Sequence, residues 1–89
     1  MPQIEVPRRY RAPTGGRATI LVEGATVRAC IEAAEVDYPG FGELVLDRRG
    51  ELRSFVSLFV NGDELERGAL DRRVRDDDTI SVLAAAAGG

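Results

Sequence analysis

The chain contains no histidine, no tryptophan and no lysine, and it has a single cysteine in 89 residues. Each absence closes off a class of chemistry. Without histidine there is no Ser/His/Asp or Cys/His nucleophile system. A zinc site of the Cys/His type lacks its ligands. Cys30 has no partner for an internal disulfide, which excludes the stapled scaffold of small secreted domains. Long apolar runs are also missing: none approaches the roughly 20 residues that cross a bilayer. Met1-Pro2-Gln3-Ile4-Glu5-Val6 has no signal-peptide pattern, so a cytoplasmic protein without a membrane partner is expected. All twelve basic residues are arginine, a bias expected of a GC-rich genome. Its consequence is that the chain cannot be joined to itself through side-chain isopeptide bonds.

The positive features are those of one small globular domain. Its length admits a modest core, suited to a binding or carrier module more than to a large enzyme. A net charge of −3 argues against nucleic acid as the main partner and suits a protein partner with a basic docking face. Gly15-Gly16 is a bare pair, not a phosphate-cradling loop. Asp76-Asp77-Asp78 reads as the turn before a strand rather than a cation site, since Asp favours turns. Neither a metal nor a bound cofactor is expected.

Apolar periodicity places the elements. Ile4 and Val6 alternate with Gln3 and Glu5, a half-buried strand over 3–7. Residues 8–17 read as a loop carrying Pro13, Gly15 and Gly16, and a second strand follows over 18–23 with Ile20 and Val22 inward. Thr26 stands at the N-cap of a helix whose Val27, Cys30, Ile31 and Ala34 share one face. On that face Cys30 is a small buried hydrophobe. Pro39-Gly40 stops the helix. A short turn of helix is expected over 41–46, anchored by Leu44, and a charged loop over 47–53. The strongest strand runs from Phe55 to Val60 into Asn61-Gly62, a tight-turn signal. Residues 63–78 read as polar and irregular, and 79–83 as the last strand, with Ile80 and Val82 inward. The β-β-α-β-β order predicts an α+β domain over 1–83, a mixed sheet on one main helix, and a flexible tail over 84–89.

That tail reads Ala84-Ala85-Ala86-Ala87-Gly88-Gly89. Two glycines without side chains can thread a channel closed to other dipeptides. Six extended residues reach roughly 20 Å. The α-carboxylate of Gly89 is therefore the best candidate for a reacting group, and if the full-length chain stops there, no protease is expected to be required to expose it. If Val56, Leu58 and Val60 face the helix, Phe55 and Phe59 face away from it, as does Leu83. Phe59 and Leu83 are expected to form an apolar docking patch at the root of the tail, whereas Phe55 is expected to fold under a loop.

These residues carry a resemblance. Gly24-Ala25-Thr26-Val27, Tyr38-Pro39-Gly40, Phe55-Val56 through Val60-Asn61-Gly62, Asp77-Asp78-Thr79-Ile80 and the terminal Gly88-Gly89 occur in the order and spacing of the MoaD/ThiS family of ubiquitin-like sulfur carriers. The likeness covers about residue 20 to the end. The segment 41–53 resembles the molybdopterin-synthase small-subunit and CysO-like branch. The Ala85-Ala86 pair departs from the bulkier or Pro-containing tails of the family, as Ala29 and Cys30 depart from its larger or acidic helix residues.

The resemblance implies a β-grasp fold of four to five strands and a cosubstrate rather than an enzyme. An E1-like enzyme using ATP would adenylate the Gly89 carboxylate. A sulfur donor would convert it to a thiocarboxylate, and a sulfur-accepting synthase would take the sulfur for cysteine, a cofactor or a secondary metabolite. Ala87, Gly88 and Gly89 would thread the partners' active sites, while Phe59, Leu83, Ala84, Ala85 and Ala86 would meet their surfaces. A stable molybdopterin-synthase subunit and a ubiquitin-like modifier that forms isopeptide conjugates are the alternatives.

Overall fold

A computed structural model describes residues 1–85. Eight elements follow one another, of which five are strands of one mixed sheet. They are β1 (Gln3–Glu5), a 3-10 turn (Arg8–Tyr10), β2 (Thr19–Leu21), α1 (Val27–Asp37), α2 (Phe41–Val45), β3 (Val56–Val60), β4 (Asp63–Glu64) and β5 (Thr79–Ala84). The sheet order is β2-β1-β5-β3-β4. β1 runs parallel to β5, and the other neighbours are antiparallel. The last strand therefore lies at the centre, paired on both sides, and the chain leaves the sheet from its middle. This is the β-grasp architecture.

One face of the sheet is sealed by α1. Ile4, Ile20, Val56, Leu58, Val60, Ile80 and Val82 point inward, and none is more than 6% exposed. Val27, Cys30, Ile31 and Ala34 of α1 meet them with no exposed surface at all, as the helical spacing requires. Each fully buried aliphatic side chain of this kind contributes about 1.5–3 kcal/mol. Thr26 caps α1 as expected, its hydroxyl accepting from the Ala29 N–H at 3.0 Å. The loop before β5 supplies what the cap does not, because the Arg72 and Leu70 carbonyls accept from the Val27 and Arg28 amides.

Gly24 makes the close approach of chain and helix possible. A Cβ there would stand 2.6 Å from the Cys30 backbone nitrogen. The thiol of Cys30 points to the Gly24 carbonyl at 3.6 Å, and burial pushes its pKa up, as befits a structural cysteine. Asn61 and Gly62 take positive φ angles of 51° and 88°, the tight turn expected between β3 and β4.

Three regions depart from the sequence expectations. The stretch 8–17 is not a plain loop: it holds a 3-10 turn whose Tyr10 is 6% exposed, and the buried Thr14 hydroxyl lies within bonding distance of the Arg11 and Arg17 carbonyls. Phe41 and Val45 anchor α2, while Leu44 is only partly buried. Residues 63–78 include β4 and two core residues, Leu65 and Leu70, too widely spaced among charged neighbours to show a period.

Candidate functional site

Among the described residues no helix lies over the outer face of the sheet, and the tail leaves from its middle strand. In the β3–β5 ladder Ser57 stands opposite Leu83 and Phe59 opposite Ser81. Alternation puts all four on the outer face. Leu83 is 57% exposed. It does not lie directly across from Phe59 but one step along the diagonal, still within reach of an aromatic ring.

Phe59 is half-buried, because β5 flanks it on one side and Glu64 of β4 on the other. Phe55 is 45% exposed, contrary to the expectation that a loop covers it. It sits just before β3, beyond the reach of the two-residue β4, so β4 does not cover it as it covers Phe59. The exposed apolar strip is thus Phe55 and Leu83, with Phe59 at its edge. Leu21, also exposed, stands apart on the edge strand β2.

Polar groups border the strip. The Ser81 hydroxyl donates to Glu5 on the β1 side. At the tail end the guanidinium of Arg67 reaches the Val56 carbonyl at 2.8 Å and the Leu52 carbonyl at 3.2 Å, and also the Arg53 carbonyl. Arg67 thereby fixes the segment that presents Phe55. Arg53 itself donates to the Glu43 carbonyl at 2.6 Å. These arginine roles left no mark in the sequence, since backbone carbonyls carry no residue identity.

The tail begins later than expected. Ala84 belongs to β5 and is partly buried against the core. The Ala85 N–H donates to the Phe55 carbonyl at 2.9 Å, and Arg9 Nη1 donates to the Ala85 carbonyl at 3.3 Å. Of the residues singled out as the reacting tail, Ala86, Ala87, Gly88 and Gly89 lie outside the described residues. Four residues beyond Ala85 can span at most about 14 Å, against the roughly 20 Å of a six-residue tail.

Other polar clusters are occupied structurally. Asp78 accepts from the Arg75 N–H at 2.8 Å and from the Asn61 side chain at 2.9 Å. The Asn61 side-chain oxygen in turn accepts from the Thr79 N–H, so the Asp run does make the turn into the last strand. The groove between α1 and α2 is lined by Glu32, Glu35, Glu43 and Asp47. Glu35 there already accepts from the Gly40 and Gly42 amides, and Asp47 from those of Arg49 and Glu51. Among the described residues no group of His, Cys, Asp and Glu could hold a metal ion. No described helix is long and apolar enough to cross a membrane.

Known proteins match this chain along its length. The ThiS family matches residues 4–89. The sulfur carrier protein CysO of Mycobacterium tuberculosis is 33% identical over 97% of this chain and 96% of its own length. A putative sulfur carrier protein of Archaeoglobus fulgidus is 42% identical over 53% of this chain and 54% of its own. Among solved structures, the Amycolatopsis orientalis BexX/CysO complex contains a chain that superposes with a TM-score of 0.91 at 30% identity, complete coverage on both sides. Mycobacterium tuberculosis CysO gives 0.89 at 29% identity, covering 97% of this chain and all of its own. The small archaeal modifier protein SAMP1 of Haloferax volcanii shares the fold at 20% identity, with a TM-score of 0.82 over 99% of this chain and 98% of its own. With the β-grasp sheet, the exposed strip and the central strand that carries the tail, these matches agree: the chain belongs to the ThiS family and is homologous to the CysO sulfur carriers.

Proposed function

We propose that this protein carries sulfur on its C-terminus as a cosubstrate of partner enzymes. The observation that carries the reading is the position of Gly88-Gly89. They follow the central strand of a sheet whose outer face exposes Phe55 and Leu83, in a chain 33% identical to CysO over nearly its whole length.

The chemistry follows from what a carboxylate lacks. At neutral pH the Gly89 carboxylate is a poor electrophile. An E1-like partner forms a bond from its oxygen to the α-phosphorus of ATP, and pyrophosphate leaves. Sulfide-level sulfur, written as hydrosulfide, then attacks the acyl carbon, the acyl C–O bond to phosphate breaks, AMP leaves, the S–H proton passes to solvent, and a thiocarboxylate remains. Its ionised sulfur is a nucleophile for the same reason that the thiolate is the reactive form of cysteine. It attacks an electrophilic carbon of an acceptor held by a second enzyme and displaces that carbon's leaving group. Water then cleaves the acyl–sulfur bond, which leaves the sulfur on the acceptor and returns the Gly89 carboxylate. No side chain of the carrier takes part. Its body supplies docking through Phe55, Leu83 and Phe59, and the tail supplies reach through Ala86, Ala87, Gly88 and Gly89. ATP belongs to the activating partner, and the carrier itself needs no cofactor. The complex of the Amycolatopsis CysO with BexX supports the further reading that a carrier of this shape docks on a second, sulfur-accepting protein.

Co-expression with an E1-like activating enzyme and intact-mass measurement test this. The expected product is a carrier whose mass has risen by the exchange of one oxygen for one sulfur, and removal of Gly89 abolishes it. Adducts on other proteins without any thiocarboxylate would reject the carrier reading in favour of a protein modifier. Stable co-elution with a large subunit would mark a molybdopterin-synthase subunit.

A further inference from the structure

The ladder between β3 and β5 ends halfway through a residue. In a regular antiparallel pair, a residue that donates to its partner also accepts from it. Ala85 donates to Phe55 at 2.9 Å, but among the described residues no backbone N–H returns to its carbonyl. That carbonyl is taken instead by Arg9 Nη1 at 3.3 Å. Among the described residues the ladder therefore ends at Ala85, and Arg9 stands at that point.

The route by which Arg9 arrives there is built into the fold. β1 runs parallel to β5 and stops at Glu5 while β5 continues to Ala84, so the end of β5 loses its β1 neighbour. Pro7 has no N–H with which to prolong the ladder. The chain instead closes the 3-10 turn, with the Tyr10 N–H donating to the Pro7 carbonyl at 2.9 Å and the Tyr10 ring buried. Arg11 adds a bond from its Nε to the Val6 carbonyl at 3.0 Å. A turn fixed at both ends carries Arg9 between them, on the side of β5 that β1 has vacated. A charged donor on a carbonyl makes a stronger bond than a neutral pair.

We propose that Arg9 is a positioning residue that fixes the direction in which the C-terminal arm leaves the sheet. Arg9 substitutes a guanidinium for the missing ladder donor, so the chain is held through Ala85. Pre-ordering the root lowers the conformational entropy lost when the arm threads an active site. The kinetic half of this proposal rests on the carrier reading; the structural half does not.

Backbone {1H}-15N NOE values in wild type, Arg9→Ala and Arg9→Lys test the structural half, with thermal unfolding as the check that each variant folds. Arg9→Ala is expected to lower the NOE at Ala85 and Ala86 while β5 keeps its values, and Arg9→Lys to restore part of the loss. Unchanged values in Arg9→Ala would overturn the proposal. In thiocarboxylate formation with an E1-like enzyme, Arg9→Ala is expected to lower kcat/KM by about three- to tenfold through KM, with kcat retained. Loss of kcat with an unchanged KM would overturn the positioning role. Inactivity of the wild-type protein would instead count against the carrier reading and leave the NOE result standing.

Discussion

The two faces of the sheet differ in what they are for. On the inner face Ile4, Ile20, Val56, Leu58, Val60, Ile80 and Val82 point toward α1 and are apolar and closed to solvent. On the outer face Phe55 and Leu83 stand among Gln3, Glu5, Ser57 and Ser81, with no helix of the described residues above them. The same strands supply both faces, because successive side chains point opposite ways. The inner face satisfies itself. The outer face holds apolar groups that nothing in the described residues covers, beside the point where the tail departs, and such a patch marks a partner surface.

Substitution of equal size on the two faces should separate these roles. Leu58→Ala on the inner face is expected to cost about 2–5 kcal/mol in denaturant unfolding, since it opens a cavity in a closed core. Leu83→Ala on the outer face should change stability by less than about 0.5 kcal/mol. It should nevertheless slow thiocarboxylate formation markedly at limiting carrier, as should Phe55→Ala. If Leu83→Ala unfolds the protein, or leaves the reaction untouched, the division of labour is mistaken.

Smaller in effect, Thr26→Ala removes the hydroxyl that caps α1 above the inner face and is expected to cost about 0.5–2 kcal/mol. Thr26→Ser should keep most of it, and equal losses in the two variants would show that the methyl group, not the cap, is what matters.

The smallest expected effect concerns the rim. Asp78 is held below the usual carboxylate range, first by the Arg75 N–H and then by the Asn61 side chain. Asp47 is lowered too, chiefly by the Glu51 N–H. A depressed folded pKa means that the unfolded chain binds protons more readily. The stability these carboxylates provide is then present above about pH 4 and lost as pH falls through the lower folded values. Chemical unfolding at a series of pH values should show this decline. In Asp78→Asn it should become shallower without vanishing, because Asp47 remains.

The alternation in 3–7, 18–23 and 79–83 and the Val27, Cys30, Ile31, Ala34 spacing were enough to locate the core, because a period of two or of 3.6 is a local property of the chain. Asn61-Gly62 named its own turn for the same reason. The burial of Tyr10, Leu65 and Leu70 was not legible. Each is a single apolar residue in a polar stretch, and each becomes core only when distant segments pack together. Phe55 and Phe59 share an outward parity in the sequence. Their different exposure depends on how far a neighbouring strand of two residues extends.

The sequence by itself determined the elements, the inward residues and the glycine pair that closes the chain. Tertiary structure decided that β5 is the central strand, that Phe55 rather than Phe59 is the more open aromatic, and that Arg9 meets Ala85 across 76 positions of sequence. The reason is physical. Periodicity records which side a residue faces, whereas pairing order and the partners of bare carbonyls are set only when distant segments come together.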